Sequence, residues 1–573
     1  MVRFQQGVAI LSLTLMFAAL GSAAPTISEG GVVNGASFLP AAVPGGGIAQ
    51  GSFFTGFGTE MGPAEGVVNT SLPLPTELGG VEVTVTAGEV TYNAYLTFVR
   101  DNQFNAIMPS ETPAGEVEVR VSYDGETSDP VMVTVVENSV GIFTATQAGA
   151  GPGAITNYVS DTEQPLNSSA TVATPGQVLV VWGTGLLGIP GADHVSPLES
   201  GNVRDLQSEV DVTVMVGGRP AQILYAGRSA EFPGIDQISI QLAEETPSGC
   251  FVPVMAIANG TPSNEVTIAV GEEGAVCQDA LNPFSQALIG GASVGALANV
   301  RLNGMVSLSP ILSVDFTLDV MAGSFSQQTG APFSYNRFFS LPPVGSCSRQ
   351  TFRGIDLVGL LGGDFPDLNF GAEIDAGPSM MMTRDGGDPK TVEQDEESEG
   401  RYVATVGGGL ALVGEADPTY YEPGEYNITS EGGEDVGAID VTFTIPERPE
   451  WTNRDAVATE APISRAAPLT FTWEPGDPQA PQVMLAFAAN VNVGSGDASG
   501  VVCLMPQTFG MLTMPPALLS TVAPSEAPGI AGPTTLGFVG FGSLPVIHPF
   551  QAEGLDLGAV LAATLELQSA TFE

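Results

Sequence analysis

Basic residues are nearly missing from this sequence: 16 lysines and arginines stand against 63 acids, and the net charge is −47. Lys390 is the only lysine. The acids are present in ordinary proportion, so the charge comes from absent bases and not from added carboxylates. Phosphate backbones and anionic lipid surfaces repel such a chain, which argues against nucleic acid as a partner. Histidine is almost absent as well, with only His194 and His548, and none of the four cysteines forms a C-x-x-C pair. Together these argue against a structural zinc site. Beyond Leu20 no run approaches the roughly 18 uninterrupted apolar residues of a spanning helix, so none is expected in the mature chain. Helical periodicity with caps is scarce too; the longest candidate, Leu557 to Leu567, reads equally well as a strand.

What is present begins with an address. Arg3 precedes an apolar run from Val8 to Leu20, and Gly21-Ser-Ala-Ala24 follows with small residues, the pattern of a secretory leader. Residues 1–23 are read as a signal peptide cut after Ala23, because a cut one residue later would put Pro25 first. The absence of a cysteine at that point argues against a lipid anchor. The expected location is therefore extracellular, at the cell surface or in a periplasm.

Glycine and proline are plentiful, 72 and 44 residues, and they punctuate short apolar runs. That is the composition of a turn-rich β protein. Val81-Glu-Val-Thr-Val85, Glu116 to Val121 and Val131 to Val135 alternate with period two and read as strands with one buried face. The chain up to Val270 also repeats itself. Phe57-Gly-Thr59 returns as Trp182-Gly-Thr184, and Val81 to Val85 as Val210 to Val214. Gln103 to Ile107 returns as Gln237 to Gln241, the turn Glu111 to Gly115 as Glu245 to Gly249, and Ser128 as Ser263. The order is kept, and the offset between the copies grows only slightly along the chain. Two homologous sandwiches account for this.

The motifs carrying the repeat are VVNGASF at Val32 to Phe38, a Gly-Thr-Gly-type turn, SLPLP at Ser71 to Pro75, LGGVEVTV at Leu78 to Val85, and GIFT at Gly141 to Thr144. The second copy has PGQVLVVWGTGL at Pro175 to Leu186 and SGCFVPV at Ser248 to Val254. Residues 30–270 thereby resemble the "Solibacter-type C-terminal" family of secreted proteins, whose units are similar to IPT/TIG immunoglobulin-like domains. The resemblance implies that fold and an exported life; it implies no activity. The remainder resembles, more loosely, the region that follows such repeats in secreted acidobacterial-type proteins.

The fold class expected is all-β: tandem immunoglobulin-like (IPT/TIG-type) β-sandwiches followed by further β-sandwich domains. The expected boundaries are 26–137 and 145–277 for the two sandwiches, 278–447 for a β-rich domain and 448–573 for a C-terminal sandwich. Pro446-Glu-Arg-Pro-Glu450 reads as the linker between the last two. Tyr421-Glu-Pro-Gly-Glu-Tyr426 resembles a sandwich corner in which a tyrosine hydroxyl bonds back to the chain. Four cysteines allow three pairings. Cys250 opens a strand of the second sandwich and Cys277 follows its last strand, so these two are expected to pair. Cys347 and Cys503 are left to bridge the C-terminal half.

Apparent catalytic motifs fare poorly on context. Gly183-Thr-Gly-Leu-Leu-Gly188 matches a dinucleotide fingerprint, but Pro190 and Gly191 follow where a helix is needed to receive a pyrophosphate. Gly291-Ala-Ser293-Val-Gly295 matches a nucleophile elbow with His548 downstream, yet that elbow requires an alternating β/α chain. Ser293 is therefore read as structural. His194, beside Asp193, reads as a solvated loop residue. No catalytic and no cofactor-binding residue is assigned. Asp385 and Asp388, with Glu393 to Glu399 behind them, offer oxygen ligands for calcium in a charged segment, 385–401, expected to be a mobile loop. They lack the ligand spacing of an EF-hand. Of the three tryptophans, Trp182 and Trp473 lie in strand patterns that suggest the core, and Trp451, next to the linker, is the candidate exposed platform. Sequons at Asn69, Asn167, Asn259 and Asn427 suggest exposed turns.

The reading that follows is an exported, modular, non-catalytic binding, adhesion or scaffold protein whose partner is a surface protein or a polysaccharide. Two alternatives stay open: a secreted hydrolase with its site in 278–573, and a carbohydrate-binding protein.

Overall fold

The computed structural model describes residues 24–573 apart from 280–281, 310–311, 338–339, 356–370, 397, 411–417, 446, 448–449, 459–460, 477–481, 526–533 and 545–546. Residues 1–23, expected to be a signal peptide, lie outside the described residues, as does most of the linker expected at 446–450. The protein is all-β, and the duplicated halves are two β-sandwiches.

In the first sandwich the main strands are β1 (Thr26–Asn34), β2 (Phe53–Thr59), β3 (Val81–Ala87), β4 (Val90–Asn93), β5 (Tyr95–Arg100), β6 (Gln103–Ile107), β7 (Gly115–Tyr123) and β8 (Val131–Val136). The second repeats the set as β9 (Gly141–Ile142), β10 (Val178–Thr184), β11 (Val212–Val216), β12 (Arg219–Pro220), β13 (Gln222–Arg228), β14 (Asp236–Gln241), β15 (Gly249–Ala258) and β16 (Thr261–Val270). One sheet of the first runs β1-β2-β6-β5 and the other β8-β7-β3-β4. The second sandwich runs β9-β10-β14-β13 and β16-β15-β11-β12, the same order throughout. Register agrees as well: Phe57 stands opposite Gln103, and their counterparts Trp182 and Gln237 stand opposite each other. Ser128 accepts a hydrogen bond from the Val121 amide, and Ser263 accepts one from Ala256, seven residues back in each case. The second sandwich starts at Gly141, a little before the expected 145.

Alternation places the cores. Val81, Val83 and Val85 on β3 and Val117, Val119 and Val121 on β7 close over Phe54 and Phe104. Leu179, Val181, Val214, Ile238 and Ile240 do the same in the second sandwich. Each such side chain contributes roughly 1.5–3 kcal/mol by leaving water. The Gly-rich turn after β10 is a tight junction: Gly185 has φ of 84°, and a Cβ there would meet the Ser139 carbonyl at 2.3 Å. It follows a strand, and no helix starts directly after it.

The remaining strands are β17 (Ser293–Ser309), β18 (Leu312–Gln327), β19 (Cys347–Phe352), β20 (Ser379–Arg384), β21 (Lys390–Asp395), β22 (Ser398–Leu410), β23 (Gly424–Ser430), β24 (Ile439–Ile445), β25 (Leu469–Thr472), β26 (Val483–Asn492), β27 (Ala498–Pro506), β28 (Met511–Met514), β29 (Thr535–Leu544), β30 (His548–Phe550) and β31 (Leu557–Ala570). Most of them form one sheet in the order β19-β27-β26-β29-β31-β17-β18-β22-β21-β20-β23-β24, while β25 and β28 make a separate ribbon. The boundary expected at 447/448 does not fall between separate sheets. The reason is the parallel pairing of β17 with β31, from Val294 against Leu557 to Met305 against Gln568. The charged segment 385–401 is not a loop either, because β21 pairs with β20 and β22 and buries Val392 completely.

Tyr426 makes the expected corner, its hydroxyl donating to the Glu422 carbonyl at 2.9 Å. Cys250 is bonded to Cys277, with Cα atoms 5.3 Å apart. Cys347 is bonded to Cys503, with Cα atoms 3.9 Å apart on the facing strands β19 and β27. No helix among the described residues is long and apolar enough to cross a membrane.

The three bodies meet around Arg349 of β19. Its guanidinium donates to the Pro44 carbonyl of the first sandwich at 2.8 Å and to the Ser263 carbonyl of the second. Within the second sandwich a buried pair ties β13 to β14, Arg228 to Asp236 at 2.9 Å, with Asp236 also accepting from the Leu186 amide at 2.7 Å.

Candidate functional site: an aromatic face on the second sandwich

On β10 the side chains of Leu179 and Val181 enter the core, so Val178, Val180 and Trp182 point outward. The paired strand β14 sets Gln237 opposite Trp182 and Ser239 opposite Val180. Gln237 donates to Ser239 at 3.1 Å, which fixes its amide beside the indole. Tyr158 and Phe232 flank this strip at 36% and 55% exposure, and Leu224 of β13 adds a third apolar group at 43%. The Tyr158 hydroxyl donates to Asp161 at 2.8 Å, and that bond raises its pKa. The result is an open depression of about 600 Å³. Its lining combines aromatic rings with the amides Gln164 and Gln237 and the acids Asp161 and Glu231, and includes no basic residue. Exposed apolar clusters of this kind, rimmed by polar groups, mark binding surfaces.

A second concavity lies on the C-terminal sheet. One face of β17 and β31 is apolar at Leu297, Val560 and Ala562, then turns polar at Arg301, Asn303, Thr564, Glu566 and Gln568. Tyr421 to Pro423 and Arg454 wall this polar stretch into a groove of about 480 Å³. Arg301 holds Asp319 with two bonds, at 2.8 and 3.0 Å, and reaches Glu422 at 3.6 Å. Arg454 holds Glu566 at 2.9 Å. Asp319 is wholly buried and also accepts from the Tyr421 amide at 3.0 Å. These carboxylates serve as ion-pair partners that anchor the tyrosine corner.

The sequence candidates fall elsewhere. Ser293 Oγ donates to Gln327 at 2.7 Å and its amide to Asp556 at 2.9 Å, both bonds that close the end of β17. His548 sits on β30 with its ring 6.5 Å from that of Phe443. His194 lies in a loop, as expected, but is half-buried where the sandwiches meet, its ring 5.3 Å from that of Tyr95. Asp193 beside it accepts from the Ser110 amide at 2.8 Å, and burial raises its pKa. Trp451 is not an exposed platform. It is 5% exposed and stacks on Phe471 at 5.3 Å, because a bridge to Trp473 draws it into the core. Asn167 is buried too and exchanges two bonds with the Ala269 backbone, at 2.8 and 3.0 Å. Asp385 and Asp388 are exposed in the turn between β20 and β21. Among the described residues no three His, Cys, Asp or Glu side chains gather as a metal site. Trp182, read from sequence as a core residue, is half-buried on the outer face of β10.

No family model matches this chain, and no curated protein does. Among solved structures it is similar to the Bacteroides ovatus mixed-linkage glucan utilization locus SGBP-B in complex with a mixed-linkage heptasaccharide, at 11% identity and a TM-score of 0.14, covering 86% of this chain and 90% of that one. It is similar as well to SGBP-B from a complex xyloglucan utilization locus of Bacteroides uniformis, at 9% identity and a TM-score of 0.14, covering 96% and 95%. Titin domains A168–A170 match at 8% identity and a TM-score of 0.13, covering 74% and 99%. At such scores neither domain arrangement nor function follows from the likeness.

Proposed function

We propose that this is an exported, non-catalytic binding protein that holds a neutral polysaccharide on the Trp182 face of its second sandwich. The observation that supports this is the Trp182–Tyr158–Phe232 cluster, left outside the core on a sheet face that would otherwise be polar. Aromatic rings present flat apolar area to the C–H faces of sugars, and the adjacent amides pair with hydroxyls. The lining carries acids and no bases, on a chain of charge −47, so an acidic polymer would be repelled. The three bodies act as a scaffold that carries this face, with the two disulfides suited to an oxidising compartment.

The test is affinity electrophoresis and calorimetry against a panel of neutral polysaccharides, run beside an assay for released reducing ends. Retardation by at least one polymer is expected, without product release. Trp182→Ala should weaken binding by about 2 kcal/mol, roughly 30-fold. Unchanged binding in that variant, or product release that disappears in Glu566→Gln, would refute the reading.

A further inference from the structure

A third concavity of about 300 Å³ lies where the three bodies meet. Three arginines line it, Arg337, Arg349 and Arg353, from a chain with only 16 basic residues in 573. Glu265 is the only carboxylate among its lining residues. That carboxyl group accepts from the Ser348 hydroxyl at 2.5 Å and from the Arg349 amide at 2.6 Å, and it lies near enough to the Arg349 guanidinium for the two charges to favour each other. Asp497, which is not in the lining, favours the charge of Arg353 from outside.

Each guanidinium is held by backbone and keeps donors in hand, since arginine carries five. Arg353 donates to the Phe38 carbonyl and Arg337 to the Thr351 carbonyl. The Arg337 guanidinium also lies 4.9 Å from the ring centroid of Phe352, which fixes its plane. Arg349 is 4% exposed, and its Nε is buried without a hydrogen-bond partner among the described residues. An unpaired donor on a buried cation is costly unless a ligand meets it. Rigid forks of this kind match the paired oxygens of an oxyanion.

We propose that this junction pocket is an anion site that takes a sulfate, phosphate or carboxylate group, either as a free ion or as the acidic group of a saccharide. Its occupant would be held by three arginines of the third body, two of which already bond the first sandwich at Phe38 and Pro44 and the second at Ser263, and so would brace the junction of the three bodies. Burial places Arg349 at a pKa of about 10, still charged at neutral pH, and raises Glu265 to about 8, which quenches the one competing anion. The site is independent of the Trp182 face: the ligand class is opposite in charge preference and the lining shares no residue with it.

The experiment titrates the full chain with sodium sulfate, sodium phosphate and sodium glucuronate against sodium chloride at matched ionic strength, reading melting temperature and heat. Saturable single-site binding of at least one oxyanion is expected. It should weaken at least tenfold in Arg337→Gln/Arg353→Gln, persist within a few-fold in Arg353→Lys, and be unaffected by Trp182→Ala. Near-UV circular dichroism establishes that each variant is folded. Saturation by inorganic sulfate or phosphate identifies a free ion, and saturation by glucuronate alone identifies a saccharide acid; either supports the site. A rise in melting temperature that never saturates, or that is the same in wild type and the double glutamine variant, overturns it.

Discussion

Glu265 makes the stability of the junction depend on pH in a direction opposite to that of most carboxylates. Its carboxyl group is enclosed between β16 and β19, and burial lifts its pKa from the ordinary 4.5 to about 8 against the opposing effect of its bonds to Ser348 and Arg349. Because the folded value is raised, the folded state holds the proton where the unfolded chain has lost it. The associated stability is fully present below pH 4.5 and is lost as pH rises to about 8. At about 1.4 kcal/mol per pH unit that interval corresponds to roughly 5 kcal/mol as an upper bound. The side chain keeps some contact with solvent, so about half of this is expected. Urea unfolding of wild type and Glu265→Gln at pH 5.5, 7 and 8.5, followed by tryptophan fluorescence, isolates the effect from the general repulsion of a −47 chain. Glutamine can still accept from Ser348 and never ionises, so the variant should lie close to wild type at pH 5.5 and exceed it by about 2–3 kcal/mol at pH 8.5. Equal differences at both ends of the range would refute the reasoning.

Other perturbations have equally definite outcomes. Asp236→Ala strands Arg228, which is 6% exposed, and should cost about 3–5 kcal/mol in urea titration of the second sandwich. Asp236→Ala/Arg228→Met should recover most of that loss. Tyr426→Phe removes the hydroxyl that bonds to Glu422 and should cost about 1–3 kcal/mol in thermal unfolding of the C-terminal body. Replacing Cys347 and Cys503 by alanine opens a loop of 156 residues and should cost up to about 5 kcal/mol in the chain-entropy account. Opening the 27-residue Cys250–Cys277 loop should cost less, which calorimetry on the two double variants compares directly.

The two sandwiches are legible in the sequence because alternation specifies each strand locally and the repeat supplies it twice. Even the register pair Trp182–Gln237 has its Phe57–Gln103 counterpart in the aligned motifs. The C-terminal body is less legible, since nothing local in Val294 to Met305 announces that its parallel partner is Leu557 to Gln568, at the far end of the chain. Trp182 is misplaced by sequence for a definite reason. In Val178-Leu-Val-Val-Trp182 both faces are apolar, so the run resembles a strand buried on both sides. The outward set becomes visible only once Leu179 and Val181 are seen in the core. Trp451 errs in the other direction, as a neighbouring proline-rich segment says nothing about the bridge that carries it to Trp473.

The pairing of β17 with β31 also bears on how the protein is made. A chain delivered from its N-terminus during synthesis can close the first sandwich, then the second, each from contacts already delivered. The third body cannot proceed this way. Its central strand β17 emerges early and keeps one edge open until the last residues, Leu557 to Ala570, arrive to cover it. During that interval an apolar strand edge stands exposed, a template for pairing with other chains. Loss of Leu557 to Ala570 would therefore remove the middle of a sheet, not its margin.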